Sequence, residues 1–171
     1  MDSRPGRSQS LDRMPTRRTS EWTLWIVAAS CAVHAAEEYA TGWLVWARET
    51  LGIALPPSVF VVMNGVLVAA ALALARRGWR RPAASLVIPV ATLANALLFH
   101  VLPTIVQRRA APGVYSAVLL YLPFSTWAIV GAARDGVGRR DLAVAVVAGL
   151  VLALSVVLAA RSVAPSPLLT P

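Results

Sequence analysis

The twenty residues from Asp141 to Ala160, DLAVAVVAGLVLALSVVLAA, contain no charged side chain after the first position. Such a stretch matches the roughly 20 helical residues needed to cross a ~30 Å hydrocarbon layer. Similar runs precede it, and 57% of the whole chain is hydrophobic against 14% charged. The composition therefore predicts an integral membrane protein and excludes an ordinary soluble domain.

The apolar runs predict membrane-spanning helices. Backbone polar groups inside a bilayer must bond to one another, so only helices or a closed barrel can span it. The runs are rich in Ala, Val and Leu and lack the alternation of barrel strands, so we predict an all-α polytopic bundle. The five predicted spans are Trp22–Trp46, Pro57–Ala75, Ala83–Val106, Gly113–Ala133 and Leu142–Ala160.

The positive charges predict the orientation of the bundle. All 16 are arginines, and twelve of them lie in the N-terminal tail and in the second and fourth connections. By the positive-inside rule these segments face the cytoplasm, which places the N-terminus inside and the C-terminus outside. The expected location is the inner (plasma) membrane, as a multi-pass protein. The net charge of +8 then reflects topology, and we expect no nucleic-acid partner.

The chain divides into three parts. Residues 1–21 are polar and Arg-rich and predict a disordered cytoplasmic tail, residues 22–161 form the bundle, and residues 162–171 form a short external tail. The run VAASC, which ends at Cys31, resembles a lipoprotein cleavage site. Ala28 stands where such a site usually has a larger aliphatic residue, so we interpret Cys31 as a packing residue.

Ionisable side chains within the spans predict a functional site. Six of the eight carboxylates lie in tails, connections or span ends, whereas Glu37 and Glu38 lie inside the first span, in CAVHAAEEYA. Both histidines, His34 and His100, also fall within spans. A charged group at bilayer depth costs several kcal/mol on insertion scales, so such groups usually face the bundle interior and serve a function.

Helix geometry predicts that these groups meet. At ~100° per residue, Glu37 and Glu38 lie about 60° and 40° to either side of His34, on one helix face. A rise of ~1.5 Å per residue brings polar residues of the second and third spans to the same depth, in the outer half of the bilayer. The predicted partners from those spans are Asn64, Asn95 and His100.

Two prolines lie close to this depth. Pro103 removes a helical hydrogen bond and frees the carbonyl of Phe99, beside His100, and Pro123 does the same to Leu119. We expect these breaks to open a cavity beside the polar residues.

The motif HAAEE, which begins at His34, resembles the HXXEE family of small bacterial integral membrane proteins. The resemblance continues through the segment NALLFHVLPTI, which contains Asn95 and His100. A Pro-Gly turn at Pro112 and a helix with an internal proline, Pro123, follow in the same order as in the family.

This resemblance covers Trp22 to Ile129. The family often has an aromatic residue two positions before the Pro-Gly pair, where this chain has Ala110. The resemblance implies a membrane-embedded fold with a polar site and no settled general activity.

The residue types at the site favour a metal-dependent enzyme. Two histidines and a carboxylate, here His34, His100 and Glu38, form a ligand set for Zn²⁺ or nonhaem iron, and the neighbouring Glu can act as a base. We predict a small intramembrane enzyme acting on a lipid-like or isoprenoid-like substrate. Its predicted catalytic residues are His34, Glu37, Glu38, Asn95 and His100, and its predicted substrate-binding residues are Asn64, Phe99, Tyr115 and Tyr121.

Other functions remain open from the sequence. A protonated Glu37 or Glu38 could deliver a proton to an alkene or epoxide without a metal, as in an isoprenoid cyclase or isomerase. His34 and His100 could be axial haem ligands, the ionisable groups could form a proton or cation pathway, or the polar cluster could only fix helix packing. The expected partners are membrane lipid and a hydrophobic small molecule; no oligomeric state is predicted.

Overall fold

The computed structural model describes residues 20–163, and the side chains of residues 20–160. Most of the two predicted tails, residues 1–19 and 164–171, therefore lies outside the described part of the chain. The described part contains six helices, which we label α1 (Thr23–Ala40), α2 (Trp43–Leu51), α3 (Pro57–Ala75), α4 (Pro82–Gln107), α5 (Val114–Arg134) and α6 (Arg139–Val163). A short 3₁₀ turn, Gly78–Arg80, joins α3 to α4.

The predicted all-helical class is confirmed, since residues 20–163 form helices and no strand. The predicted number of five spans is wrong. Within the described residues, four helices are long and apolar enough to cross a membrane, namely α3, α4, α5 and the part of α6 from Arg139 to Ala160. The region predicted as the first span is instead divided into α1 and α2 at Gly42, where φ is 82°. The three ionisable residues in the second half of α1 also lower the mean hydropathy of that helix.

Helix α1 nevertheless runs from one end of the bundle to the other. Just before its first turn, the Glu21 carboxylate accepts a hydrogen bond from the Trp79 backbone N–H at 2.6 Å. In its last turn, the Glu37 carboxylate accepts one from the Ser116 backbone N–H at 2.6 Å. The 18 residues of α1 cover about 27 Å between these two ends.

The helices pack closely through small side chains. Helix α1 lies against α3 and α5, and α4 lies against α5 and α6. Gly149 of α6 has no room for a side chain, because a Cβ there would be 2.5 Å from the Cβ of Val90 on α4. Small residues at helix contacts let the backbones approach within van der Waals distance, which stabilises association in a lipid environment.

The two prolines near the predicted site do not interrupt their helices. The segments Ala96–Val101 of α4 and Ala117–Ser125 of α5 are π-helical; the first ends two residues before Pro103, and the second contains Pro123. A π turn inserts an extra residue and widens the helix, a feature frequent at functional sites. The expected breaks are thus absorbed as widened turns within α4 and α5.

Candidate functional site

Three buried side chains bring their ligand atoms to one point in the interior. Nε2 of His34 on α1 lies 3.1 Å from Nε2 of His100 on α4. One Glu38 oxygen, Oε1, lies 3.5 Å from both of these nitrogens. We call these three residues the His/Glu cluster. His34 and Glu38 share one face of α1 because they are four residues apart.

The other ring nitrogen of His100 fixes its hydrogen-bonding state. Nδ1 lies 2.8 Å from the carbonyl oxygen of Pro112. A carbonyl oxygen can only accept, so Nδ1 carries the proton and donates the hydrogen bond. In neutral His100, Nε2 therefore presents a lone pair to the centre of the cluster.

Ser116 provides the corresponding contact for His34. Nδ1 of His34 lies 2.8 Å from the Ser116 hydroxyl oxygen, which lies 3.3 Å from the carbonyl oxygen of Gly113. When the hydroxyl donates to that carbonyl, Nδ1 of His34 donates to the hydroxyl, and Nε2 of His34 also presents a lone pair. When the hydroxyl instead donates to Nδ1, Nε2 of His34 carries the proton and donates the 3.1 Å hydrogen bond to Nε2 of His100. Metal-binding histidines are usually oriented by such a hydrogen bond from the second ring nitrogen.

The geometry of the His/Glu cluster fits a metal ion. Ligand atoms at ~2.0 to 2.1 Å from a tetrahedral Zn²⁺ are about 3.3 Å from one another. The three separations in the cluster are 3.1, 3.5 and 3.5 Å. Three protein ligands of this kind would leave the fourth position of a tetrahedral ion without a protein ligand. The cluster could therefore hold a metal ion.

The turn before α5 closes against the cluster. Gly113 adopts φ 83°, and a Cβ there would lie 2.8 to 2.9 Å from side-chain atoms of Glu38, His100 and His34. The Pro112–Gly113 pair thus supplies both a carbonyl acceptor and a close contact that a larger residue would prevent. This turn, which the sequence alone marks only as a helix start, is part of the site.

Glu37 has different contacts from its neighbour Glu38. Its two carboxylate oxygens accept hydrogen bonds from the backbone N–H groups of Tyr115 and Ser116, at 3.1 and 2.6 Å. The first N–H groups of a helix lack intrahelical partners, so Glu37 satisfies two of them at the start of α5. Its charge also suits the positive end of the helix dipole. Glu37 therefore fixes α5 against α1 and lies outside the His/Glu cluster.

An apolar cavity of about 150 Å³ adjoins the cluster. His34 and Glu38 contribute to its wall together with side chains of α2, α3, α4, α5 and α6. Aromatic rings line it as well, and the Tyr121 ring lies 4.4 Å from the His34 ring, measured between centroids. A cavity of this size holds a small ring or a short branched alkyl group. The cluster is thus open to a small apolar group.

A family model described as "Protein of unknown function with HXXEE motif" matches residues 25–128, more than half of the chain. The chain belongs to the HXXEE family. The resemblance inferred from the sequence is thereby confirmed. No curated protein and no solved structure matches the chain.

The structure gives each residue of the HXXEE motif a distinct position. The first and last, His34 and Glu38, belong to the cluster, and Glu37 holds the start of α5. The two variable residues, Ala35 and Ala36, line a shallow groove on the outside of the bundle. Side chains from a single turn of α1 therefore contact the cluster, the start of α5 and the outer groove.

The structure brings most of the predicted site residues to the same cavity. Its wall includes Asn64, Asn95, Phe99 and Tyr121 besides His34 and Glu38. The Asn64 amide donates a hydrogen bond to the carbonyl oxygen of Phe60 at 3.0 Å. Asn95 Oδ1 is buried and has no hydrogen-bond partner among the described residues.

Tyr115 is a predicted site residue whose side chain lies elsewhere. It is 64% exposed, and only its backbone N–H contributes, through the hydrogen bond to Glu37. The next residue, Ser116, faces His34, and successive residues on a helix point about 100° apart. Tyr115 therefore points away from the cavity.

Three residues that the predicted set leaves out complete the site, namely Pro112, Gly113 and Ser116. Each contacts a cluster histidine or lies against the cluster. The available signal was the Pro-Gly pair itself, because a glycine between a proline and a helix is suited to positive φ. Its proximity to two histidines depends on how the helices pack.

The geometry does not match the haem arrangement considered from the sequence. Two axial histidine nitrogens on opposite faces of one haem iron would be about 4 Å apart, with the porphyrin between their rings. In this structure the Nε2 atoms of His34 and His100 are 3.1 Å apart and the ring centroids 4.6 Å apart. No porphyrin fits between them.

Proposed function

We propose that this protein is a metal-dependent intramembrane enzyme that acts on a lipid-like or isoprenoid-like substrate. His34, Glu38 and His100 would hold the metal, with Zn²⁺ and Fe²⁺ as the candidates. The expected location remains the inner (plasma) membrane, as inferred from the arginines.

The observation that carries this proposal is the convergence of three buried ligand atoms beside an apolar cavity. Their separations of 3.1 to 3.5 Å match a single ion, and hydrogen bonds to Pro112 and Ser116 orient both histidines. Keeping three electron-rich atoms together in the interior costs free energy unless a cation or a shared proton lies among them. A metal ion would provide this compensation.

A bound divalent metal would supply Lewis-acid activation of a water molecule or a substrate oxygen. The protein's own contribution is to position and shield the reacting group. Tyr121 and Phe99 provide apolar walls, and the buried carbonyl oxygen of the Asn95 side chain provides a hydrogen-bond acceptor. Together they would orient a substrate that enters from the hydrocarbon layer.

A metal-independent acid catalyst is the second candidate. The Glu38 side chain is buried in a cavity that also presents the aromatic rings of Trp43, Phe60 and Tyr121. A protonated carboxyl group could protonate an alkene or epoxide, and aromatic faces stabilise the cationic centre that results. This mechanism predicts an isoprenoid cyclase or isomerase that works without metal.

Metal analysis of the purified protein tests the first proposal. We expect about one Zn or Fe per chain in detergent, and roughly a ten-fold decrease or more in the variants His34→Ala, Glu38→Gln and His100→Ala. The control is Thr92→Val, which removes a buried hydroxyl from the cavity wall while leaving the His/Glu cluster intact.

Two outcomes would count against metal dependence. One is a protein that remains metal-free after incubation with Zn²⁺ or Fe²⁺. The other is isoprenoid turnover that survives chelation but is lost in Glu38→Gln, a result that would favour acid catalysis.

A further inference from the structure

A groove on the outer surface of the bundle lies directly beside the cavity. It is formed between α1 and α3, mainly by apolar side chains that include Ala35, Ala36 and Val68, and its volume is about 370 Å³. Gly65 leaves its floor open, because a Cβ at this position would meet no atom within 4 Å. An apolar groove along two apolar helices suits a hydrocarbon chain.

Two residues separate the groove from the cavity. Phe60 and Asn64 line both of them. The Phe60 ring contacts the ring of Tyr39, on the groove side, and that of Trp43, on the cavity side, with centroid distances of 6.1 and 5.5 Å. Phe60 and Asn64 thus form the part of the wall where the two spaces adjoin.

The wall of the cavity, beyond Phe60 and Asn64 as seen from the groove, includes a side chain with an unused hydrogen-bond acceptor, Asn95. Asn95 Oδ1 is buried and has no hydrogen-bond partner among the described residues. A buried acceptor without a donor costs free energy, so a ligand that donates a hydrogen bond here would bind more tightly than one that cannot. The complementary group is a hydroxyl at the end of an apolar chain.

We infer that the protein binds a long-chain alcohol, with its hydrocarbon tail in the α1–α3 groove and its hydroxyl group at Asn95. This inference rests on the proposed function and specifies its substrate class. It also assigns Phe60 and Asn64 to the entrance through which the hydroxyl end passes from the bilayer to the His/Glu cluster.

Photolabelling of the full chain in lipid nanodiscs tests the groove. The probe is a C20 isoprenoid alcohol with a diazirine in its tail, and labelled peptides are located by mass spectrometry. We expect saturable labelling at Ala35, Ala36 and Val68, reduced roughly ten-fold or more in Gly65→Leu, because the leucine side chain would fill the groove. The control is Ala70→Leu, at an exposed position of the same helix that does not line the groove.

Competition tests the hydroxyl contact. Unlabelled alcohol should compete about ten-fold better than its methyl ether in the wild type, because the ether lacks the donor. Asn95→Leu should abolish this preference, and Asn95→Asp, which keeps an acceptor oxygen, should retain it. Equal competition by alcohol and ether in the wild type would overturn the assignment of the hydroxyl to Asn95.

The results separate this inference from the proposed function. Unsaturable labelling spread over the whole apolar surface, in a protein that holds one metal per chain, would overturn the inference alone. Saturable groove labelling in a protein that never binds metal would support the inference and overturn metal dependence alone.

Discussion

Gly113 lies against all three residues of the His/Glu cluster. Its φ of 83° disfavours any side chain, and a Cβ would also lie within 2.9 Å of the side chains of three cluster residues. The two effects can be separated, because Gly42 has nearly the same backbone angle, φ 82°, with no atom within 4 Å of a Cβ. Replacing each glycine with alanine therefore adds the same methyl group at nearly the same backbone angle, once against the cluster and once in open space.

We expect Gly113→Ala to lose roughly ten-fold or more in metal content and about 3 kcal/mol in stability. Gly42→Ala should lose only about 1 kcal/mol, from the positive φ, and keep its metal. Metal analysis and thermal unfolding in detergent measure both variants. Equal metal loss in the two variants would mean that backbone strain, not contact with the cluster, decides the outcome.

Among the helices, α1 and the start of α5 are joined by hydrogen bonds beside the site. The Glu37 carboxylate accepts hydrogen bonds from the backbone of Tyr115 and Ser116, and this fixes the Ser116 hydroxyl beside His34. The π-helical turns of α4 and α5 place His100 and Tyr121 on other sides of His34. Three helices thus meet at one histidine.

We expect Glu37→Ala to destabilise the protein by about 2 kcal/mol, because two backbone N–H groups lose their acceptor. Glu49→Ala, at an exposed position of α2, should change stability by less than about 0.5 kcal/mol. Denaturant unfolding in detergent compares the two. At saturating Zn²⁺, Glu37→Gln should still bind one metal per chain, unlike Glu38→Gln; loss of metal in both would place Glu37 among the ligands.

Across the whole molecule, the arginine-rich connections share one end of the bundle. The residues just before α1 contact both of these connections. The Trp79 backbone N–H donates a hydrogen bond to the Glu21 carboxylate, and the Ser20 backbone N–H donates one to the Asp135 carboxylate at 2.9 Å. The His/Glu cluster lies toward the opposite end, beside the turn at Gly113. Which end faces the cytoplasm stays a prediction from the arginine count.

Cysteine labelling tests this orientation, because Cys31 is the only cysteine of the chain and is buried. In a Cys31→Ala background, Ala110→Cys should react with an impermeant maleimide in intact cells. Gly138→Cys should react only after permeabilisation. The reverse pattern would place the arginine-rich end outside and contradict the predicted topology.

Sequence pattern was enough to predict the helical class of the fold and the residues that form the His/Glu cluster. Long apolar runs require helices, because a lipid environment leaves backbone groups no other partner. The few ionisable residues inside those runs identify the site, because placing them there costs free energy. Helical periodicity and rise were sufficient to put His34 and Glu38 on one face and to bring His100 to the same depth.

The different roles of the two glutamates and the closure of the site depend instead on how the helices pack. Glu37 and Glu38 are adjacent and chemically identical. The contact with α5 makes Glu37 a cap for the start of that helix, whereas Glu38 lies in the cluster. The position of Gly113 against the histidines likewise depends on packing between helices. Such contacts join residues far apart in the chain, so their distances follow from the packing of whole helices and not from local sequence pattern.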